Sequence, residues 1–417
     1  MRKHRFVGVG LAGVMAASMA ATAAPVAAQE DVIAVWNFGA MGIEDQAAEW
    51  AAERGVTVNF LTKEFDAHHE SLIPAFVSGQ VPDIAAIEVG YSSLFRNQPQ
   101  NFQNLAEYGA DELADDYVAW RWEHGVAPDG SIIGLPTDIG GLAMCYRTDL
   151  FEAAGLPTDR DEVSAAIATW DGFIDLGKQY VEATGMPFID GAGGSVYNVV
   201  KNQGAEKYYS ADGEPIYDTS EQIQAAWDTS VEAIEAGLSA NILQFSPEWN
   251  SGMALGSFAM LSCPAWMMGY IQGQAPDTAG LWEIAQVPEV GGNWGGSQLT
   301  IPAASDNKEL AYELLTYLLS PEQQLVTFVN NGNMPSTVAN LESAEVQALT
   351  NDFFSGAPVG QIYAASAGAL EPIYEGPQER LIDREFGNGL QRIENGEQTP
   401  EEAWASVIEN VTLEVRD

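Results

Sequence analysis

The sequence is poor in positive charge. Seventeen Lys and Arg stand against 59 Asp and Glu, a formal net charge of −42 over 417 residues. Only six of the bases are lysines, at positions 3, 63, 178, 201, 207 and 308. Binding to nucleic acid requires cations that displace the counterions of phosphates, so that partner is excluded. An anionic membrane surface is excluded on the same ground. Histidine is also scarce: after His4 there are only His68, His69 and His124. No Ser-His-Asp order can be argued from three histidines, and no Gly-x4-Gly-Lys loop is present for ATP phosphates. Beyond the N-terminus no apolar run is long enough to cross a bilayer. Cysteine is limited to Cys145 and Cys263.

What is present is core material. Hydrophobic residues make up 46% of the chain and aromatics 10%, which separates it from disordered acidic chains. At about 100–200 residues per domain, the length fits two or three domains. A carboxylate-rich, Lys-poor surface stays hydrated in concentrated salt, and salt screens its self-repulsion. The charge therefore reads as adaptation to a saline medium.

Residues 1–28 read as a signal peptide. Arg2, Lys3, His4 and Arg5 form a basic start, Phe6 to Ala24 carry no charge, and Val26-Ala27-Ala28 offers small residues for cleavage. A membrane anchor is the alternative, since the run is nearly long enough to span. No Cys lies near the junction to carry a lipid. Loss of Arg2, Lys3 and Arg5 takes the formal charge from −42 to −45. The expected product is soluble and periplasmic or extracellular. In such a compartment Cys145 and Cys263, both in segments that read as buried strands, either pair or remain as inert buried thiols.

After the signal, strand and helix patterns alternate. Ile33 to Phe38, Val56 to Leu61 and Pro82 to Val89 read as strands. Gly42 to Arg54 and the stretch around Leu72, Ile73, Phe76 and Val77 read as helices. This βαβαβ order predicts a parallel sheet with ligand loops at the carboxyl ends of its strands. A second alternating region follows residue 138. Ser320-Pro-Glu-Gln323 and Thr399-Pro-Glu-Glu402 are capping boxes with Pro at the first helical position. Three stretches, 133–140, 285–292 and 330–337, combine Pro, Gly and short extended runs, and predict crossings between two lobes. Such crossings make a hinge with a cleft between its jaws.

Several motifs carry a family resemblance. They are Phe76-Val-Ser-Gly-Gln-Val-Pro-Asp-Ile84, Gly134-Leu-Pro-Thr-Asp138, the run from Cys145 to Leu156, and Thr169-Trp170-Asp171. Gly256 to Met260, Pro264-Ala-Trp266, Gly295-Gly-Ser297, Ala311 to Pro321 and Met334-Pro-Ser336 complete the ordered set. Together they resemble the extracellular solute-binding proteins of sugar ABC transporters, the family that includes the maltodextrin-binding proteins. The Cys145 run with Cys263 to Met267 is similar to a cellobiose-type subgroup. The resemblance implies an α/β, two-lobed periplasmic binding protein fold of type II, each lobe a mixed, mainly parallel sheet flanked by helices. It implies a di- or oligosaccharide held at a hinge, with cellobiose favoured. It also implies delivery to permease subunits served by a separate ATPase, and no catalysis or cofactor. The expected division is 29–137 with 287–334 for the N-terminal lobe, and 138–286 with 335–417 for the C-terminal lobe. The expected state is a monomer.

A neutral sugar needs flat aromatic platforms and a few convergent polar groups. Trp266 matches the family's stacking Trp, and Ser297 lies in a matched motif. Trp36 ends the first strand, Trp294 lies near a crossing, and Trp249-Asn250 and Tyr197-Asn198 each join a platform to an amide. Among the acids, Glu64 and Asp66 follow the second strand and Asp138 sits in the first crossing, where a carboxylate would accept from hydroxyls. Core packing competes for each aromatic, and a lobe-linking role competes for Asp138. Asp83 is expected to fix the start of its strand, and Arg147 to pair with a nearby acid.

Two other classes are weighed. A secreted glycoside hydrolase also needs aromatics with paired carboxylates. A metal protein would have to use Glu64-Phe-Asp-Ala-His68-His69-Glu70, the only local ligand cluster, but adjacent His side chains point apart on a helix. If the charge is an adaptation to salt, the melting temperature is expected to rise from low to molar salt. A flat response in a thermal-melt series would contradict it.

Overall fold

The computed structural model describes residues 31–289, 291–368 and 374–415; the signal segment 1–28 lies outside them. Ten strands follow in chain order: β1 (Val32–Phe38), β2 (Thr57–Lys63), β3 (Ile84–Glu88), β4 (Gly134–Pro136), β5 (Asp138–Ile139), β6 (Met144–Arg147), β7 (Met260–Ser262), β8 (Trp282–Ala285), β9 (Ser297–Thr300) and β10 (Met334–Pro335). They form a five-stranded sheet in the order β2-β1-β3-β9-β4, a three-stranded sheet β7-β6-β8, and the two-stranded pair β10-β5. The first two sheets lie in separate lobes, and the pair β10-β5 runs between them.

The βαβαβ reading holds for the first lobe, where β1 pairs in parallel with both β2 and β3. The helix Glu44–Arg54 buries Ala47, Trp50 and Ala51, spaced i, i+3, i+4 along one face. It ends at Gly55, whose φ of 68° lets its N–H reach the Ala51 carbonyl. Asp83 fixes the start of β3: its carboxyl accepts from the Ala34 N–H at 2.9 Å and the Ser305 hydroxyl at 2.6 Å. Thr399 and Glu402 bond reciprocally as a full capping box, while at Ser320 half of the box forms, its hydroxyl accepting from the Gln323 N–H and its own N–H going to the Tyr317 carbonyl.

One detail of the expectation is corrected. In the second lobe β6 pairs antiparallel with both β7 and β8, while parallel bridges join Ile189 to Met260 and to Ser239, so that sheet is mixed but not mainly parallel. The reason is connectivity. β6 leaves one crossing and β8 leads into the next, so these neighbours begin and end at the hinge and must run in opposite directions. β4 and β9, on the other side of the same crossings, are antiparallel for the same reason.

Each lobe has its own core. Ile33, Trp50, Leu299 and Leu314 belong to the first. Tyr146, Phe173, Trp227, Phe386 and Val407 belong to the second, so the helices Glu379–Glu394 and Pro400–Val415 pack there. Cys145 on β6 and Cys263 just past β7 form a disulfide, with Cα atoms 5.4 Å apart and both residues fully buried. The bridge closes a loop with a sequence separation of 118 residues. Replacing both cysteines by Ala is expected to destabilise the fold by about 4 kcal/mol, chiefly by freeing the unfolded chain. A urea midpoint unchanged from wild type would refute this.

Candidate functional site

The hinge is built from three crossings that one carboxyl ties together. β5 pairs with β10, joining the first crossing to the third. Asp138, on β5, accepts from the Ser297 N–H of the second crossing at 3.1 Å and from the Asn333 amide of the third at 3.0 Å. The Thr137 hydroxyl also donates to it. Beneath it Arg121, fully buried, donates to the Asp138 carbonyl at 2.9 Å and the Ser297 carbonyl at 2.6 Å. The crossings touch backbone to backbone. The Trp294 N–H donates to the Gly140 carbonyl, and a Cβ on Gly140 would fall 1.8 Å from the Trp294 oxygen. Only glycine fits there. Asp138 is thus corrected from a sugar ligand to a hinge tie, because it is buried and three donors from the protein occupy most of its carboxyl's acceptor sites. Ser297, 6% exposed, acts here through its backbone N–H and carbonyl.

One wall beside the hinge is aromatic. Trp266 and Trp294 meet edge to face at 5.2 Å, and the Trp266 indole N–H donates to the Trp294 carbonyl at 2.9 Å. Phe245 stacks on Trp266 at 6.2 Å and meets Tyr270 edge to face at 5.6 Å. The Tyr270 hydroxyl donates to Asn250 at 2.8 Å, which brings that amide into the wall. Phe245 was not found from sequence. Nothing in Leu243-Gln-Phe-Ser246 marks it, yet it is 48% exposed with φ at 64°, a region a bulky side chain rarely enters.

Buried Asp190 holds that loop. It accepts from the Gly191 N–H, the Ser195 hydroxyl, the Gln244 amide at 2.8 Å and the Trp249 indole N–H at 2.7 Å. Burial pushes its carboxyl above the usual range despite these four donors. Trp249 is corrected by this contact. It sits in the helix Pro247–Leu255, is fully buried, and packs behind Phe245 and Tyr270 of the wall. Tyr197 is also corrected. It is 2% exposed, bonded to the Tyr208 hydroxyl and packed against Phe386 in the second core. Neighbouring Asn198 is half-buried and accepts from Asn202 at 3.1 Å.

Three further candidates lie on the first lobe, of which Trp36 packs against its core cluster of Leu72, Ile87 and Phe95. Trp36 on β1 is half-buried with the Lys63 ammonium 4.5 Å above its ring. Glu64 is exposed and lies close enough to Tyr270 for its charge to add to the burial that raises that phenol. Asp66 accepts from the Tyr91 hydroxyl at 2.7 Å and from Arg380 of the second lobe at 3.0 Å. Burial opposes its ionisation, but Tyr91 and Arg380 hold its carboxyl below the ordinary range. Asp66 therefore bridges the lobes.

The two adjacent histidines are structural supports. The Glu88 N–H donates to His69 Nε2 at 3.1 Å, so Nδ1 carries the proton and faces the Phe65 carbonyl at 2.8 Å. The neutral ring lies flat under Tyr91, 4.0 Å away, and burial with His68 beside it lowers its pKa to about 3. His68 Nε2 lies 2.7 Å from the Ala86 carbonyl. Sequence reasoning also missed Glu88, whose carboxyl accepts from the Gly90 N–H at 2.7 Å, and Arg380.

Replacing Asp138 with Ala would take this acceptor from the Asn333 amide and leave the Ser297 N–H only the Thr137 hydroxyl, a loss of about 1–3 kcal/mol. Chemical denaturation should show that loss, with Asp138→Asn milder. Equal stability of Asp138→Ala and wild type would refute the tie.

A sequence model described as bacterial extracellular solute-binding protein matches residues 45–353. The arabinooligosaccharide-binding protein of Halalkalibacterium halodurans is 29% identical over 305 residues, 68% of this chain and 66% of that protein. The lactose-binding protein of Rhizobium radiobacter is 26% identical over 372 residues, 84% of this chain and 85% of that protein. A crystal structure of an extracellular solute-binding protein of family 1 aligns with TM-score 0.79 at 34% identity, covering 91% of this chain and 98% of that one. A binding protein from B. animalis subsp. lactis in complex with beta-1,6-galactobiose aligns with TM-score 0.80 at 21% identity, over 92% and 97% of the two chains, and speaks for the fold.

Proposed function

Because the chain belongs to the bacterial extracellular solute-binding protein family, we propose that it is the sugar-capturing component of an ABC importer, closing its two lobes on a di- or oligosaccharide. The observation that carries this reading is the wall of Trp266, Trp294 and Phe245 beside a hinge of three tied crossings. Sugar C–H faces fit aromatic platforms, while Asn250, Tyr270 and Glu64 supply partners for rim hydroxyls. The closed form, favoured by contacts that a bridging sugar makes to both lobes, docks on membrane permease subunits whose ATPase is a separate chain. Members of the family are carriers, so no reaction is assigned to this one.

The finer reading has several parts. The ligand is a β-linked disaccharide of the cellobiose type; the lactose-binding relative supports this, since lactose shares the β-1,4 linkage. The lobes comprise 29–137 with 287–334, and 138–286 with 335–417. The chain acts as a monomer outside the cytoplasm after cleavage near Ala28.

A thermal-shift screen tests this reading with cellobiose, lactose, beta-1,6-galactobiose, xylobiose, maltose, trehalose and monosaccharides. A sugar at 100 times its Kd should stabilise the protein by about 2.7 kcal/mol. Trp266→Ala should weaken binding of the same sugar about thirtyfold, the loss of an aromatic anchor worth about 2 kcal/mol. Wild-type affinity in that variant would remove Trp266 from the site. Turnover of cellobiose at enzyme-like rates would restore the hydrolase reading.

A further inference from the structure

Charged side chains from both lobes meet in a cluster that the sugar reading does not use. Among the described residues, two pairs of titratable side chains within 4.0 Å cross between the lobes. Arg380 reaches Asp66 at 3.0 Å, and His124 Nε2 lies 3.6 Å from Glu375. On the second-lobe side Lys207 lies 2.7 Å from Glu375 and 3.4 Å from Glu379, and Lys201 pairs with Asp383, which Arg380 also approaches at 3.5 Å. Asp66, Asp383 and Glu375 therefore each hold a close cation.

Two carboxyls hold no cation of their own. Glu379, 4% exposed, shares Lys207 with Glu375 at the longer distance, and its Oε2 has no hydrogen-bond partner among the described residues. Among the described residues the Glu88 carboxyl accepts from the Gly90 N–H alone. Glu88 feels Glu375, Arg380 and Arg121, but Arg380 is engaged by Asp66 and Asp383, and Arg121 by two carbonyls. Glu379 feels Lys207, Glu375, Lys201 and Asp383, with the Tyr197 and Tyr208 phenols nearby. Glu375 in turn faces Arg96 and His124 from the first lobe.

An ionised carboxyl without its own cation is costly to bury. Opening the lobes would break the Asp66 and His124 contacts and separate Glu88 from Glu375 and Arg380 of the second lobe; Glu379 shares Lys207 with Glu375, the residue His124 and Arg96 cover. We propose that closure of the two lobes takes up protons, with Glu379 and Glu88 as the acceptors, so that acidification favours the closed form. This rests on the two-lobe closure of the preceding reading. Burial lifts Glu379 to about 7, since Lys207, although its pull exceeds the push of Glu375, offsets the burial only in part; burial lifts Glu88 to about 7 as well. In the open form both return toward the usual value of about 4.3. A group whose pKa is higher in the closed form binds more protons there. Closure is hence disfavoured above pH 7 and gains up to about tenfold per pH unit for each proton as pH falls below 7.

Small-angle X-ray scattering of the ligand-free protein from pH 8.5 to 5.5 in molar salt tests this, because salt screens the surface carboxylates. The radius of gyration should fall as pH drops through 7. Glu379→Gln and Glu88→Gln should each be more closed at pH 8 and show a flatter curve. A wild-type radius independent of pH would overturn the proposal, whether or not the variants fold, and so would curves unchanged in both variants. Closure induced by one of the screened sugars with equal strength at every pH would overturn it while leaving the sugar reading intact. Absence of closure with pH and with every sugar screened would defeat both.

Discussion

Everything about this molecule turns on the bonds around Asp138. Three separate strands of chain pass between the lobes, and a hinge of three strands works only if they move as one. The carboxyl of Asp138 gathers donors from all three, while Arg121 beneath it binds the carbonyls of two. A buried polar group left unpaired costs more than a made hydrogen bond gains, so each partner enforces the others. The pair β5-β10 adds its ladder to the same place. The direction of the strands on either side follows from this, since β4, β6, β8 and β9 all start or end at the tie.

The aromatic wall depends on a second buried carboxyl. Asp190 bonds Gln244 and Trp249, and between those two residues lies Phe245 in its left-handed conformation. Such backbone strain costs about 1–3 kcal/mol and persists only where its surroundings over-determine it. Here Asp190 on one side and the stacked Trp266 on the other do so. A rigid backing for exposed rings also means that little side-chain freedom remains to be lost when a ligand arrives.

Much of this was legible in the sequence, and the exceptions share a cause. Periodicity found the first sheet and its helices, because one face of each element had to be apolar. Pro-Gly punctuation found the three crossings. A family motif led to Trp266 and the neighbouring crossing to Trp294, and the two rings meet edge to face. Tyr197 and Trp249 were misplaced because an aromatic beside an amide looks alike in a core and in a cleft; only the contacts with Tyr208 and Asp190 separate the two. Phe245 carries no pattern because its exposure follows from a backbone dihedral. Arg380 was missed because its partner Asp66 lies 314 positions away, beyond the reach of any local spacing.

The scarcity of cations also looks different from inside the fold. A protein with 17 bases for 59 acids has few to place, yet Arg121, Arg147, Lys201 and Lys207 are all buried. Two of the six lysines thus stand inside the charged cluster at the lobe interface rather than on the surface. Surface carboxylates need no partner, because water and salt screen them. Buried ones do, and breaking a buried pair by removing one partner costs about 3–5 kcal/mol. The few cations accordingly sit where solvent cannot do their work. The two carboxyls at the interface without a cation of their own, Glu88 and Glu379, are the places where that economy runs short.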